Sequence, residues 1–167
     1  QLGCAENKNL NRLIEAVKDI SCHLEIVGKL PEDLRQKLID YSMSFHISWN
    51  LSDLEIKQKY AQCDIVTLIS TYEGFGMPIV EANATGRVAI SANILSMPEA
   101  AGNAAHLVDP YDEEAIRKGF LKIIQDDAYR EDLIQKGFKN RERFTEEKIA
   151  NDYCEQYRKI ASQQVKI

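Results

Sequence analysis

"CDIVTLISTYEGFGMPIVEANATGRVAIS", residues 63–91, decides how the chain is read. It opens with a nearly continuous apolar run rich in β-branched side chains, the pattern of a parallel strand covered on both faces. "PIVEANATG" (78–86) reads as a short helix, with Pro78 near its first turn and Gly86 as its stop. "RVAIS" (87–91) is the next strand. The glycine-rich turn between them therefore falls at the carboxyl end of a buried strand, where ligands of such sheets bind.

The same alternation extends in both directions. "HLEIVGKL" (23–30) alternates and stops at Gly28, and Pro31 opens a helix across "PEDLRQKLIDY". "SFHISWN" (44–50) is another strand, and Ser52 with Glu55 three residues later forms a capping box for the helix that follows. "AAHLVD" (104–109) is the last strand. From residue 112 only helical spacing remains, with Thr145 capping the final helix, "TEEKIANDYCEQYRKI". Alternating strands and helices specify an α/β fold with a doubly wound, Rossmann-like parallel sheet. One domain over 1–167 is expected, with an α/β core over about 1–110 and a helical part over 111–167. The start, "QLGCAENKNLNRLIEAV", reads as the tail of a strand, so the chain is expected to be a piece of a larger protein.

Composition narrows the function. The 167 residues are 44% hydrophobic and 28% charged, ordinary for a globular protein. With 21 Lys and Arg against 26 Asp and Glu, the net charge of -5 argues against a nucleic-acid partner, which needs a clustered basic surface. No apolar run reaches the roughly 20 residues of a membrane-spanning helix, and no secretory leader is read. Cys4, Cys22, Cys63 and Cys154 have no metal-binding spacing and read as buried, reduced thiols of a cytoplasmic protein. His23, His46 and His106 are equally dispersed and read as structural hydrogen-bonding residues. No metal ligand set is read.

Within the turn, Glu73 and Glu81 suggest three kinds of chemistry. A two-carboxylate glycosidase needs its acids roughly 5 Å or 6.5–9.5 Å apart. A continuous helix would set these two about 12 Å apart, and Pro78 with the glycines breaks even that path. The hydrolase reading is disfavoured. A dinucleotide fingerprint matches only in part, since Ile79 stands where the third glycine belongs. The third reading is a helix start whose unpaired N–H groups and dipole favour a diphosphate or sugar hydroxyl, with Gly74 and Gly76 permitting close approach. Glu81 would then meet a ribose diol and Glu73 a sugar or its leaving oxygen. The competing structural reading puts Phe75, Met77 and Ile79 in the core and makes the two acids helix-start residues favoured by the dipole.

"EGFGMPIVE" resembles the E-x7-E signature of the retaining family 4 glycosyltransferases, which have the GT-B architecture. Residues 60–116 resemble the family's donor half almost in register, and "CAENKNLNRLIEA" and "HLEIVGK" resemble its Lys-bearing first loop and an earlier strand. The resemblance implies a nucleotide-diphosphate sugar as donor substrate, no metal or other cofactor, and transfer of a hexose such as mannose with retention. It implies catalytic roles for Glu73, near the transferred sugar and leaving phosphate, and for Lys8, which would neutralise the diphosphate. Gly74, Phe75, Gly76 and Met77 would present the donor-binding loop, and Glu81 would bind ribose hydroxyls. The turns at Gly28 and Trp49 lie where the family packs around the nucleobase, Trp49 reading more as packing than as base stacking. "MPEAAG" (97–102) matches a segment near the donor.

The chain departs from the pattern in three places. Cys4 and Ala5 follow Gly3 where many relatives carry an arginine, Asn83 replaces a more usual apolar residue, and Arg87 stands where proline is common. The resemblance implies partners as well: an N-terminal GT-B domain and a glycan or lipid-linked acceptor, with the full enzyme at the inner membrane face. Two readings compete with it, a nucleotide-sugar epimerase of GT-B fold and a non-catalytic nucleotide-sugar-binding module.

Overall fold

The computed structural model describes residues 1–164. Five strands alternate with helices: α1 (Leu10–Val17), β1 (His23–Val27), α2 (Glu32–Asp40), β2 (Ser44–Ser48), α3 (Asp53–Gln62), β3 (Ile65–Leu68), α4 (Met77–Ala84), β4 (Val88–Ala92), α5 (Met97–Ala101) and β5 (Ala105–Val108). Three helices follow, α6 (Glu113–Gln125), α7 (Asp127–Asn140) and α8 (Glu146–Gln164). Every strand pair is parallel.

Local chemistry sets the boundaries. The expected capping box closes around Ser52 and Glu55 and starts α3. Asp112 and Asp126 accept main-chain N–H bonds at the starts of α6 and α7, and Pro78 sits in the first turn of α4. Pro31 occupies the position before α2. Gly86, with φ +68°, follows the end of α4, where a left-handed residue closes the helix.

Strand residues alternate between two apolar layers. Ile65, Val88 and Ile90 join α1 and α6 in one, while Val66, Leu68 and Ala89 join α3, α4 and α5 in the other. All five β4 residues are buried, as a central strand covered by helices on both sides requires.

The expected single sheet is divided into β1-β2 and β3-β4-β5. What links them is residues 1–3, which run parallel to β1. Val27 N donates to Gln1 O at 3.0 Å, and Gly3 N donates to Val27 O at 2.7 Å. On the other side Thr67 Oγ1 of β3 donates to the Gln1 side chain at 2.6 Å.

Two expectations fail outright. Cys22 and Cys154 are exposed rather than buried, Cys22 just before β1 and Cys154 on the solvated α8; Cys4 and Cys63 are half-buried and all four are free. Trp49 does not pack into the core: it is 57% exposed just past β2, with the Lys29 ammonium 4.3 Å from its ring centre. The histidines do serve structural bonds, His23 with Ser44, His46 with Glu25 and His106 with Tyr129.

Candidate functional site

The candidate site forms where the first loop meets the turn after β3. Asn9 bridges the two from a left-handed conformation, φ 56°, which asparagine tolerates better than most residues. It is buried, and its Nδ2 donates to Ile69 O at 3.0 Å and Pro110 O at 2.7 Å. Asn7 adds two more links: its Nδ2 donates to Tyr72 O at 2.9 Å, and its O accepts from Thr71 N at 2.8 Å.

This scaffold brings together two residues singled out separately in the sequence. Lys8 Nζ donates to Glu73 Oε1 at 2.6 Å, although the residues are 65 positions apart. Both side chains are mostly shielded, at 22% and 15% exposure, so the pair is a charge-assisted bond screened from bulk water. Ser70 Oγ donates to the same carboxylate oxygen at 2.7 Å, and Ser96 Oγ holds Glu73 O at 2.9 Å. Glu73 is thereby fixed from three sides.

Beyond Glu73 the chain turns into α4. Gly76 immediately precedes the helix with φ +105°, a conformation that strains any L side chain. An added Cβ there would also lie 3.3 Å from Ile79 Cδ1. At Gly74 a Cβ would meet nothing within 4 Å, so that glycine borders open space. Of the three apolar residues that the structural reading puts in the core, Ile79 is buried, whereas Phe75 and Met77 are 41% and 52% exposed. Phe75 stacks edge-on against Phe144 at 5.5 Å. The loop thus holds aromatic, thioether and backbone groups at the surface beside the Lys8–Glu73 pair.

Glu81 lies further into α4 and is not paired with Glu73. The buried Tyr60 Oη donates to Glu81 Oε2. Burial, then the adjacent carboxylate, push the Tyr60 phenol far above its ordinary pKa, so it stays a donor. Tyr60 orients Glu81 and occupies one oxygen.

Gly28 lies apart from α4, at the end of β1. With φ +149°, its missing side chain makes room for the first loop: a Cβ would lie 2.9 Å from Cys4 Sγ. Cys4 therefore fills a packing niche, and its thiol pKa is raised by burial, so it stays uncharged.

Sequence reasoning missed Asn7, Asn9, Ser70, Ser96 and Tyr60. "ENKN" carries the one usable signal, asparagines flanking Lys8 in a turn. The Tyr60–Glu81 contact spans 21 residues and leaves no local trace.

The fold is that of a Rossmann-like α/β domain of the GT-B type. The chain belongs to the family described as glycosyl transferases group 1, whose model matches residues 4–140. Among curated relatives it is similar to the O-antigen chain mannosyltransferase B of Escherichia coli, 33% identical over 106 residues, covering 64% of this chain and 28% of that protein. It is also similar to an MMP alpha-(1->4)-mannosyltransferase of Mycolicibacterium hassiacum, 32% identical over 120 residues, covering 65% and 29%. The chain therefore spans less than a third of either relative. Among solved structures it overlays HepE of Anabaena in complex with UDP and glucose with TM-score 0.83 and 20% identity, covering 95% of this chain and 48% of that one. It also overlays the C-terminal domain of LpcC, a glycosyl transferase group 1 protein of Francisella tularensis, with TM-score 0.73 and 24% identity, covering 89% and 84%.

Proposed function

We propose that residues 1–167 form one donor-binding domain, the C-terminal half of a longer retaining glycosyltransferase. It would hold a nucleotide-diphosphate sugar while a hexose passes to a glycan or lipid-linked acceptor. The observation that carries this reading is the Lys8–Glu73 pair, fixed at 2.6 Å beside the start of α4. A departing diphosphate needs positive charge and oriented donors more than a base. Lys8 would supply that charge, and the N–H groups of Phe75, Gly76 and Met77 would supply the donors. Glu73 would meet the transferred sugar, and Glu81, steadied by Tyr60, the ribose hydroxyls. In the transfer the bond from the sugar's anomeric carbon to phosphate oxygen breaks, one to the acceptor oxygen forms on the same face, and the acceptor hydroxyl's proton passes to the departing diphosphate.

The mannosyltransferase names of the curated relatives make mannose the candidate sugar and surface polysaccharide the candidate product. No metal ion or other cofactor is called for by this chemistry. Among the described residues no helix is long and apolar enough to cross a membrane; the full enzyme would work in the cytoplasm at the inner membrane face.

Titration calorimetry with nucleoside diphosphates, their sugars and the matching nucleosides tests the site. Lys8→Ala should weaken diphosphate binding about tenfold or more, a loss of roughly 1.4 kcal/mol, and nucleoside binding much less. Equal losses for both ligands would remove Lys8 from the diphosphate site. The isolated chain should turn over little donor, and robust transfer by it alone would overturn the two-domain reading.

A further inference from the structure

The loop between Glu73 and α4 carries N–H groups whose direction the main chain does not fix. Among the described residues, the N–H groups of Gly74, Phe75 and Gly76 donate to no main-chain acceptor. They lie between two held points, Glu73 with its Lys8 bond and the first turn of α4. Glycines flank Phe75 on both sides, which gives this stretch wide backbone freedom. Phe75 brings the stretch its one side chain, so a contact made by that ring is what can hold the three peptide units still.

Phe144 supplies that contact. The two rings stand edge to face, 5.5 Å between centres and 85° between planes, a favoured arrangement of aromatic pairs. Phe144 ends the short turn Arg141–Phe144 after α7, just past the residues 4–140 that the family model matches. This turn is tied to α5. Arg143 Nη1 donates to Glu99 O at 3.1 Å and to Asn140 Oδ1 at 2.8 Å, and its guanidinium lies 5.0 Å from the Phe144 ring centre. Asn140 Nδ2 donates in turn to Ala100 O at 2.8 Å. Just ahead of the same helix, Ser96 Oγ donates to Glu73 O at 2.9 Å. Glu73 and Phe75 are therefore both referred to α5, one by a hydrogen bond and the other through the aromatic pair.

We propose that Phe144 is a positioning residue of the donor site: through Phe75 it fixes the direction of the Phe75 and Gly76 N–H groups before a diphosphate arrives. Donors already aimed cost no reorganisation, whereas a loose loop would have to be ordered by the ligand at the expense of affinity. An aromatic ring at position 144 is the requirement, so tyrosine should serve there and leucine should not. This role rests on the donor-binding reading, because the diphosphate is what those N–H groups would meet. A nucleoside without phosphates would leave them unused and would bind independently of Phe144.

Three variants, Phe144→Leu, Phe144→Tyr and Phe75→Leu, are compared with the unchanged chain. Backbone relaxation gives the order parameters of the Gly74, Phe75 and Gly76 amides without ligand, and calorimetry gives the affinities for nucleoside diphosphates and for nucleosides. Phe144→Leu should lower the order parameters from about 0.85 to below about 0.6. It should weaken nucleoside diphosphate binding about three- to tenfold and leave nucleoside binding within about twofold. Phe144→Tyr should keep both the rigid loop and the affinity. Phe75→Leu breaks the same contact from the loop's side and should loosen the same amides, which decides the matter if a change at position 144 unfolds the chain. A loop that stays rigid in Phe144→Leu or in Phe75→Leu overturns the proposal, as does equal weakening of both ligands. If the unchanged chain binds no nucleoside diphosphate, the donor-binding reading fails and the proposal falls with it. Diphosphate binding that is present and that Phe144→Leu leaves intact sinks the proposal alone.

Discussion

At the scale of single residues, two glycines two positions apart have opposite reasons for being glycine. Gly76 holds φ +105° and is crowded by Ile79, whereas Gly74 faces open space. Gly76→Ala should cost about 1–2 kcal/mol, the penalty of a left-handed L-residue, while Gly74→Ala should stay within about 0.5 kcal/mol. Chemical denaturation midpoints with equal slopes would check the contrast, and matching losses would contradict it. A loop glycine needed for backbone shape and one needed for ligand access look identical in sequence. Lys8 and Glu73 were each visible as chemistry, but the bond between them was not, because Asn7 and Asn9 create it across 65 positions.

Between elements, the contact of α4 with α7 explains Asn83, a polar residue on the buried side of a helix. Asn83 is buried, and Asn140 Nδ2 donates at 2.8 Å both to its Oδ1 and to Ala100 O. Gly137 permits the approach: a Cβ there would stand 2.9 Å from Asn83 Nδ2 and 3.3 Å from its Cα. Asn140→Leu removes the donor and leaves buried acceptors bare, so it should destabilise the protein by about 1–3 kcal/mol or more. Thermal and denaturant unfolding would measure it; a neutral result would mean the acceptors find water. The sequence showed α7 as a helix but gave no sign of which helix it meets, since Gly137 and Asn140 look like ordinary surface residues of an amphipathic segment.

A second inter-element contact is electrostatic. Glu15 of α1 accepts from Lys37 of α2 at 2.5 Å, from Lys18 at 3.0 Å and from Tyr41 Oη at 2.9 Å. The hydrogen bond from Lys37, then that from Lys18, lower its pKa from the ordinary carboxylate value to about 2. A depressed folded pKa means the cluster's contribution is whole above the unfolded value, about 4.3, and is lost as pH falls towards 2. The melting-temperature gap between the natural chain and Glu15→Gln should therefore be constant above pH 5 and close between pH 5 and 2. A gap independent of pH over that window would show that the carboxylate's charge does not tie α1 to α2.

Over the whole molecule, parallel alternation was legible because buried strands such as 63–70 and 87–91 are apolar on both faces. The division of the sheet was not, because it depends on what lies beside β1 and β3 in space. The carboxyl-terminal helix differs again. Ile149, Tyr153, Tyr157 and Ile160 recur at spacings of four and three, the pattern of a buried stripe. Yet they are exposed by 43% to 67%, and Tyr153 and Tyr157 lie against one another, 6.4 Å between ring centres. Periodicity reports that a face is apolar, not what covers it. For this chain the stripe should contribute little: Tyr153→Ser and Tyr157→Ser should each change stability by no more than about 0.5 kcal/mol, as surface substitutions do. Ile90→Ala, which empties a fully buried β4 position, should cost about 2–5 kcal/mol. Denaturant unfolding of the three variants side by side would settle the comparison. A tyrosine loss approaching that of Ile90 would mean that α8 folds back onto the body in solution.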